Sequence, residues 1–284
     1  SSLVRALLPG IVLAFALASP AAVIAETVPG LVDAAKANDV EALRRVLQTA
    51  GDIDTAAGDG TTALHWAAHW NNLEMADLLI DQGAAVNPVN LYGVTPLWLA
   101  CTNQGDAMVA RLLRAGADPN AASATGATVL MNCARTGAAG AVAALLERGA
   151  DPSAKEKQSG QDALMWAAAG GHAEVVKLLI DAKADVSPVS NGGFTPLLFT
   201  ARSGDAASAR LLLAAGADPN EATPEQGNAL VVASAGGHEE LALLLVGPQA
   251  RPRRPVAAPR PAHARRGGRR LGNPAIPGGC PSAS

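Results

Sequence analysis

Apolar residues recur along this chain at two nested intervals. Leu31, Leu64, Leu97, Leu130, Leu164, Leu197 and Leu230 follow one another at steps of 33 residues, except for a step of 34 between Leu130 and Leu164. Three and four places after each Leu stand small side chains, as in Ala67-Ala68, Ala100-Cys101, Cys133-Ala134 and Thr200-Ala201. This spacing puts them on the same helical face as the Leu. Seven or eight places on comes a breaker such as Asn71, Gly105, Gly137, Gly171, Gly204 or Gly237, which predicts the end of a first helix. A second apolar pair, such as Leu79-Ile80, Leu112-Leu113 or Leu212-Leu213, marks a second helix. Gly83, Gly116, Gly149 and Gly216 then stand where a residue past a helix end takes positive φ. Lys183 occupies that position in the fifth unit, predicting a strained or rearranged turn there.

Each unit therefore holds two helices of about eight residues, short of the ~12–15 at which an isolated helix becomes marginal in water. Such helices persist only if neighbouring units bury them, so the pattern predicts an all-α solenoid of about seven helix-turn-helix repeats. The 284 residues contain 3% aromatics against 49% hydrophobics, so the core must be built from Ala, Leu and Val. Trp66, Trp98 and Trp166, one or two places after an opening Leu, read as filling between units. Cys101 and Cys133 fall in the tight small-residue positions, and three cysteines are too few for a disulfide framework, so both read as small buried core residues. Cys280 reads as free.

With the repeat in view, the segments Thr95-Pro96-Leu97, Thr195-Pro196-Leu197, Gly171-His172-Ala173-Glu174-Val175-Val176 and Gly216-Ala217-Asp218-Pro219-Asn220 resemble the ankyrin repeat family, over roughly Pro29 to Val246. The end repeats depart from its pattern, with Ala50 where Gly is usual and Asn228-Ala229 in place of Thr-Pro. The resemblance implies a β-turn finger before each first helix and a concave face, made by finger tips and first helices, that binds a protein partner. Carried over position by position, it nominates His69, Trp70, Leu91, Tyr92, Asn103, Arg135, Phe194 and Arg202 as partner-binding residues. Trp70, Tyr92 and Arg135 are of the types that dominate interface energies. The alternative is that Trp70 covers the edge of its own repeat and Tyr92 packs on a neighbouring finger.

The net charge of −3 conceals an asymmetry. Residues 26–246 hold all 25 acidic residues against 13 basic ones, whereas 247–284 hold eight Arg and no acid. The Pro-, Arg- and Gly-rich end cannot bury a core and reads as a disordered tail. It is open to three explanations: a nucleic-acid- or membrane-binding segment, an inert linker, or a frame slip in GC-rich DNA, which the interrupted seventh repeat favours. Translation of the other two frames beyond codon 246 tests the last. At the other end, Arg5, the apolar run Ala6–Ala18 and the small residues Val23-Ile24-Ala25 read as an export signal cleaved after Ala25, implying a periplasmic or extracellular bacterial protein. Pro9 and Gly10 interrupt the run, which is short of the ~20 residues of a bilayer span, so an N-terminal anchor is the weaker alternative.

Reaction chemistry is sparse. His65 and His69 have the His spacing of the zinc-protease motif, but Trp66 replaces its general-base Glu and no third ligand is indicated. His65 matches a family His that bonds within the turn. Gly58-Asp59-Gly60-Thr61-Thr62-Ala63 mimics a dinucleotide fingerprint outside any βαβ unit. Asp118, Asp151, Asp185 and Asp218 recur once per repeat as loop hydrogen-bonders, and His172 and His238 begin second helices in a local capping role. The expectation is a monomeric, non-catalytic scaffold with no cofactor or metal and one protein partner. The alternative is a basic-tailed protein that binds nucleic acid or an anionic membrane.

Overall fold

The computed structural model describes residues 30–49, 51–223 and 227–247. The expected export signal and nearly all of the basic tail, Cys280 included, lie outside these residues. Seven repeats follow in order, each a first and a second helix: α1 (Leu31–Lys36) with α2 (Val40–Leu47), α3 (Ala63–His69) with α4 (Leu73–Asp81), α5 (Pro96–Thr102) with α6 (Asp106–Arg114), α7 (Val129–Thr136) with α8 (Ala139–Glu147), α9 (Ala163–Gly170) with α10 (Ala173–Asp181), α11 (Pro196–Ser203) with α12 (Ala206–Ala215), and α13 (Ala229–Ala235) with α14 (Glu239–Val246). Each first helix packs against the first helix of the next repeat, and each second helix against the next second helix, giving two layers that share one continuous core. Ala34, Ala35, Ala67, Ala68, Ala100 and Ala134 are buried in the first-helix layer. These small side chains let successive first helices pack closely against one another.

Local sequence explains the starts of these helices. Thr95 and Thr195 accept N–H bonds from Trp98 and Leu198, and Pro96 and Pro196 occupy the first helical position, where a missing N–H costs nothing. Asp162 and Asn228 serve the same capping purpose for α9 and α13, so the seventh repeat keeps its cap without Thr-Pro. In the third repeat the left-handed residue that ends α5 is Gln104, at φ 54°, rather than Gly105. Lys183 keeps the same turn as its glycine counterparts with φ 67°, so the turn is strained but not rearranged.

Fingers connect the repeats. The second, third, fourth and sixth close by a backbone bond between residues four apart, as in Asn90 N to Val94 O (3.1 Å) and Ser123 N to Ala127 O (2.9 Å). The fifth closes from Glu156 N to Gln161 O (2.9 Å), one residue wider, which places the extra residue of the 34-residue step in this finger. The Glu156 carboxylate fills the widened loop by accepting from the backbone N–H groups of Gln158, Ser159 and Gln161. Burial pushes this carboxyl up, but those bonds outweigh it and hold it below the usual range. Successive fingers are stitched by Leu91 N to Asp59 O (2.8 Å), Lys157 N to Thr125 O (2.9 Å) and Asn191 N to Ser159 O (2.7 Å).

Cys101 and Cys133 are fully buried, as expected, but they are not separate small residues: their sulfurs form a disulfide between the third and fourth repeats. The cause is the stacking register. Their Cα atoms lie 4.7 Å apart because the small-residue faces of α5 and α7 meet at this point.

Candidate partner-binding face

The last carbonyls of the first helices have no partner within the helix. Side chains of adjacent repeats supply one. Trp70 Nε1 donates to Lys36 O (3.2 Å), Asn103 Nδ2 to His69 O (2.6 Å), Gln104 Nε2 to Thr136 O (2.7 Å) and Thr136 Oγ1 to Cys101 O (3.0 Å). His172 and His238 were expected to cap their own helices, yet neither makes a side-chain cap bond. Instead their Nε2 atoms donate to Arg135 O (2.9 Å) and Arg202 O (3.3 Å) of the preceding repeat. The rings lie against Gly137 and Gly204, where a Cβ would overlap them.

His65 also works between repeats. Its Nδ1 accepts from the Thr62 backbone N–H (3.1 Å), which leaves Nε2 to donate to Val94 O in the next finger (3.0 Å). Burial lowers its pKa, against the opposing pull of the Val94 carbonyl, so the neutral form is favoured. The repeated aspartates behave as expected: Asp118, Asp151, Asp185 and Asp218 accept from the backbone N–H of Asn120, Ser153, Ser187 and Asn220.

The structure groups the nominated binding residues as follows. Trp70, 45% exposed, stacks on half-buried Trp66 at 6.4 Å between centroids, and His69 meets Trp70 edge-on at 4.8 Å. Lys36 Nζ lies 5.7 Å above the Trp66 ring, so the first two repeats share an aromatic strip with a cation over it. Leu91 and Tyr92, 79% and 71% exposed, form the tip of the third finger with Val89 nearby. Asn103 is exposed but commits its amide to His69 O.

Arg135 is exposed and is aimed by Asn132, whose Oδ1 accepts from the guanidinium (2.9 Å). Asn132 is itself fully buried and donates to Trp98 O (3.0 Å) and Thr102 Oγ1 (2.8 Å). Sequence reasoning missed this positioning residue, whose signal was a polar residue amid the apolar face of α7. Arg202 is exposed beside a notch of about 250 Å³ lined with Ala169, Phe199 and Ser203. Phe194 does not stand free on its finger. It is half-buried and packs on Phe199 at 5.3 Å, within a seam that includes Met165 and Ala168.

A larger notch, about 350 Å³, lies on the second-helix side between α4, α6 and α8. Several of its charges are engaged: Arg111 pairs with Asp77 (2.5 Å) and Asp81 (3.1 Å), and Arg148 donates to Leu113 O (3.2 Å). Among the described residues, no three His, Cys, Asp or Glu side chains gather closely enough to hold a metal ion. No helix among them is long and apolar enough to cross a membrane.

This geometry agrees with comparisons to known proteins. The ankyrin repeat family matches in three overlapping copies, at residues 31–123, 103–189 and 130–223, which together cover more than half of the chain. The chain belongs to the ankyrin repeat family. Segments of it resemble potassium channel AKT1 of Oryza sativa subsp. indica, 40% identical over 67 residues, covering 24% of this chain and 7% of the channel. A similar likeness holds to the E3 ubiquitin-protein ligase Ufd4 of Drosophila melanogaster, 38% identical over 58 residues, or 20% of this chain and 2% of the ligase. The chain thus spans only a small fraction of these relatives' length. Among solved structures it is similar to the human ASB11 ankyrin repeat domain, with a TM-score of 0.69 and 25% identity, covering 78% of this chain and 99% of that one.

Proposed function

We propose that this protein is a non-catalytic scaffold that binds another protein through the concave first-helix and finger face. The supporting observation is that Trp70, Leu91 and Tyr92 stay exposed in consecutive repeats while the Trp70 indole donates to Lys36 O and the Leu91 backbone is tied to Asp59 O. Large rings that remain accessible on a preorganised surface are the side chains from which interfaces draw most of their energy. Ankyrin repeats are in general protein-interaction modules, and the buried His65 is consumed by inter-repeat bonding rather than left free for reaction chemistry.

The proposed location is outside the cytoplasm. The apolar N-terminal run suggests export, and the Cys101–Cys133 disulfide supports it independently, because such bonds persist in oxidising compartments. The binding proposal is tested by recovering partners from an envelope extract with the wild-type protein and with Trp70→Ala plus Tyr92→Ala. Loss of a saturable partner with the double variant is expected, and equal recovery of every partner by both forms refutes the site. Fractionation tests location: a purely cytoplasmic, fully reduced chain contradicts export.

A further inference from the structure

We propose that the concave face recognises an acidic, extended segment carrying a large apolar side chain; this rests on the concave-face reading above and adds the chemistry of the partner. The observation is a segregation of charge between the two helix layers. The repeat domain as a whole is strongly acidic, yet its described first helices contain a single acid, Asp33, while every second helix except α12 carries at least one. Opposite this, one register position of the first helices, five places after each opening Leu, holds Lys36, His69, Thr102, Arg135, Ala169, Arg202 and Ala235. All seven are exposed. The first-helix face, nearly free of acids, therefore presents Lys36, Arg135 and Arg202 on an otherwise anionic body.

Two features separate this row from incidental surface charge. On the second helices, Arg44, Arg111 and Arg210 pair with carboxylates of neighbouring repeats at 2.5–3.1 Å, while among the described residues Arg45 and Arg114 make no ion pair. The Arg135 guanidinium donates to the neutral Asn132, which orients it, and among the described residues it pairs with no carboxylate. The notch beside Arg202, floored by Phe199 and opened by the small Ala169, offers an apolar recess within reach of a cation. A carboxylate on either arginine with an apolar ring in the recess satisfies both. Near this face, Asp162 caps α9 from a buried position, whereas hydrogen bonds from Thr61 hold the Asp59 carboxyl below its usual range and keep it anionic, and Asp33 is the one acid of the first helices.

Spacing sets the register of the segment. Packed helices lie ~8–10 Å apart, so Arg135 and Arg202, two repeats apart, stand roughly 16–20 Å from one another. An extended chain advances ~3.3 Å per residue, so acids about five or six residues apart reach both. The anionic fit also disfavours basic segments by like-charge repulsion.

The test is fluorescence anisotropy with a labelled peptide of about twelve residues, Asp- and Glu-rich with two Phe, and a matched peptide whose acids are replaced by Lys. The acidic peptide is expected to bind and the Lys peptide not to. Raising salt should weaken binding, and Arg135→Glu with Arg202→Glu should weaken it about tenfold or more, while Arg114→Glu on α6 leaves it within about twofold. Equal binding of both peptides, no binding of either, or indifference to the double charge reversal in a folded variant overturns the proposal. Recovery of a protein partner that needs Trp70 and Tyr92 but ignores Arg135 and Arg202 overturns the acidic preference alone and leaves the concave-face reading standing.

Discussion

Replacing both bridged cysteines, as Cys101→Ala with Cys133→Ala, removes the covalent tie between the third and fourth repeats without opening much space, since small residues are the rule at these positions. The bridge closes a loop with a sequence separation of 32. In the chain-entropy description, a closed loop of about 33 residues costs the unfolded state about 3.7 kcal/mol of conformational freedom at 25 °C. Each kilocalorie moves the midpoint of a domain of this size by about 2–4 °C, so the double variant should melt roughly 7–15 °C lower. The assay is thermal unfolding followed by helical circular dichroism, with and without reductant, and with thiols titrated after unfolding. Reductant should lower the wild-type midpoint to that of the variant and leave the variant unmoved. Because neighbouring repeats stabilise one another, amide exchange should quicken most in α5 to α8 and least in α13. A wild-type chain with no free thiols at these positions whose midpoint matches the variant would refute the reasoning.

Further outcomes follow from particular side chains. Lys183→Gly relieves the strained turn after α10 and should raise stability by about 0.5–1 kcal/mol in urea unfolding, since glycine takes φ 67° without penalty; a loss would mean that the lysine side chain contributes something else. Gly204→Ala combines a left-handed backbone with overlap of the His238 ring, and should cost about 2–3 kcal/mol by loss of the Arg202 O tie as well as strain. His65 has a lowered folded pKa, so the unfolded chain binds more protons below its ordinary value of 6.5. Its stabilising contribution is therefore complete above that pH and declines as pH falls toward the folded value. Relative to His65→Gln, the wild type should lose stability between neutral pH and pH ~5, and parallel curves would contradict the assignment. Asn132→Ala should release Arg135 and weaken the acidic peptide, with Asn132→Asp failing to restore it because the added carboxylate neutralises the arginine; unchanged affinity in Asn132→Ala would remove the positioning role.

Much of the stack was legible because its determinants are local. The opening leucines, small pairs, Thr-Pro caps and recurring aspartates act within one repeat, so their spacing translates directly into helices and turns. What crosses between repeats was harder to read. Cys101 and Cys133 are 32 residues apart, one short of the period, and whether their sulfurs meet depends on which faces of α5 and α7 touch. The Gly-His segments were read as local caps, but the rings of His172 and His238 serve the preceding repeat, and glycine is needed there to admit them. The 34-residue step was visible without its location, which emerged only from the wider finger held by Glu156. Phe194 has the sequence position of a finger residue, yet Phe199 and Met165 provide an apolar seam that draws it inward.

Site-specific photo-crosslinking most directly tests the claim that the first-helix and finger side is the working surface. A photoreactive residue is placed at position 70 or 92, on the inner face, or at 243, where Leu243 is exposed on α14. Irradiation of cells producing each form should yield a discrete protein adduct from 70 and 92, competed by untagged wild type, and none from 243. Adducts from 243 alone, or equally from all three, would contradict the account.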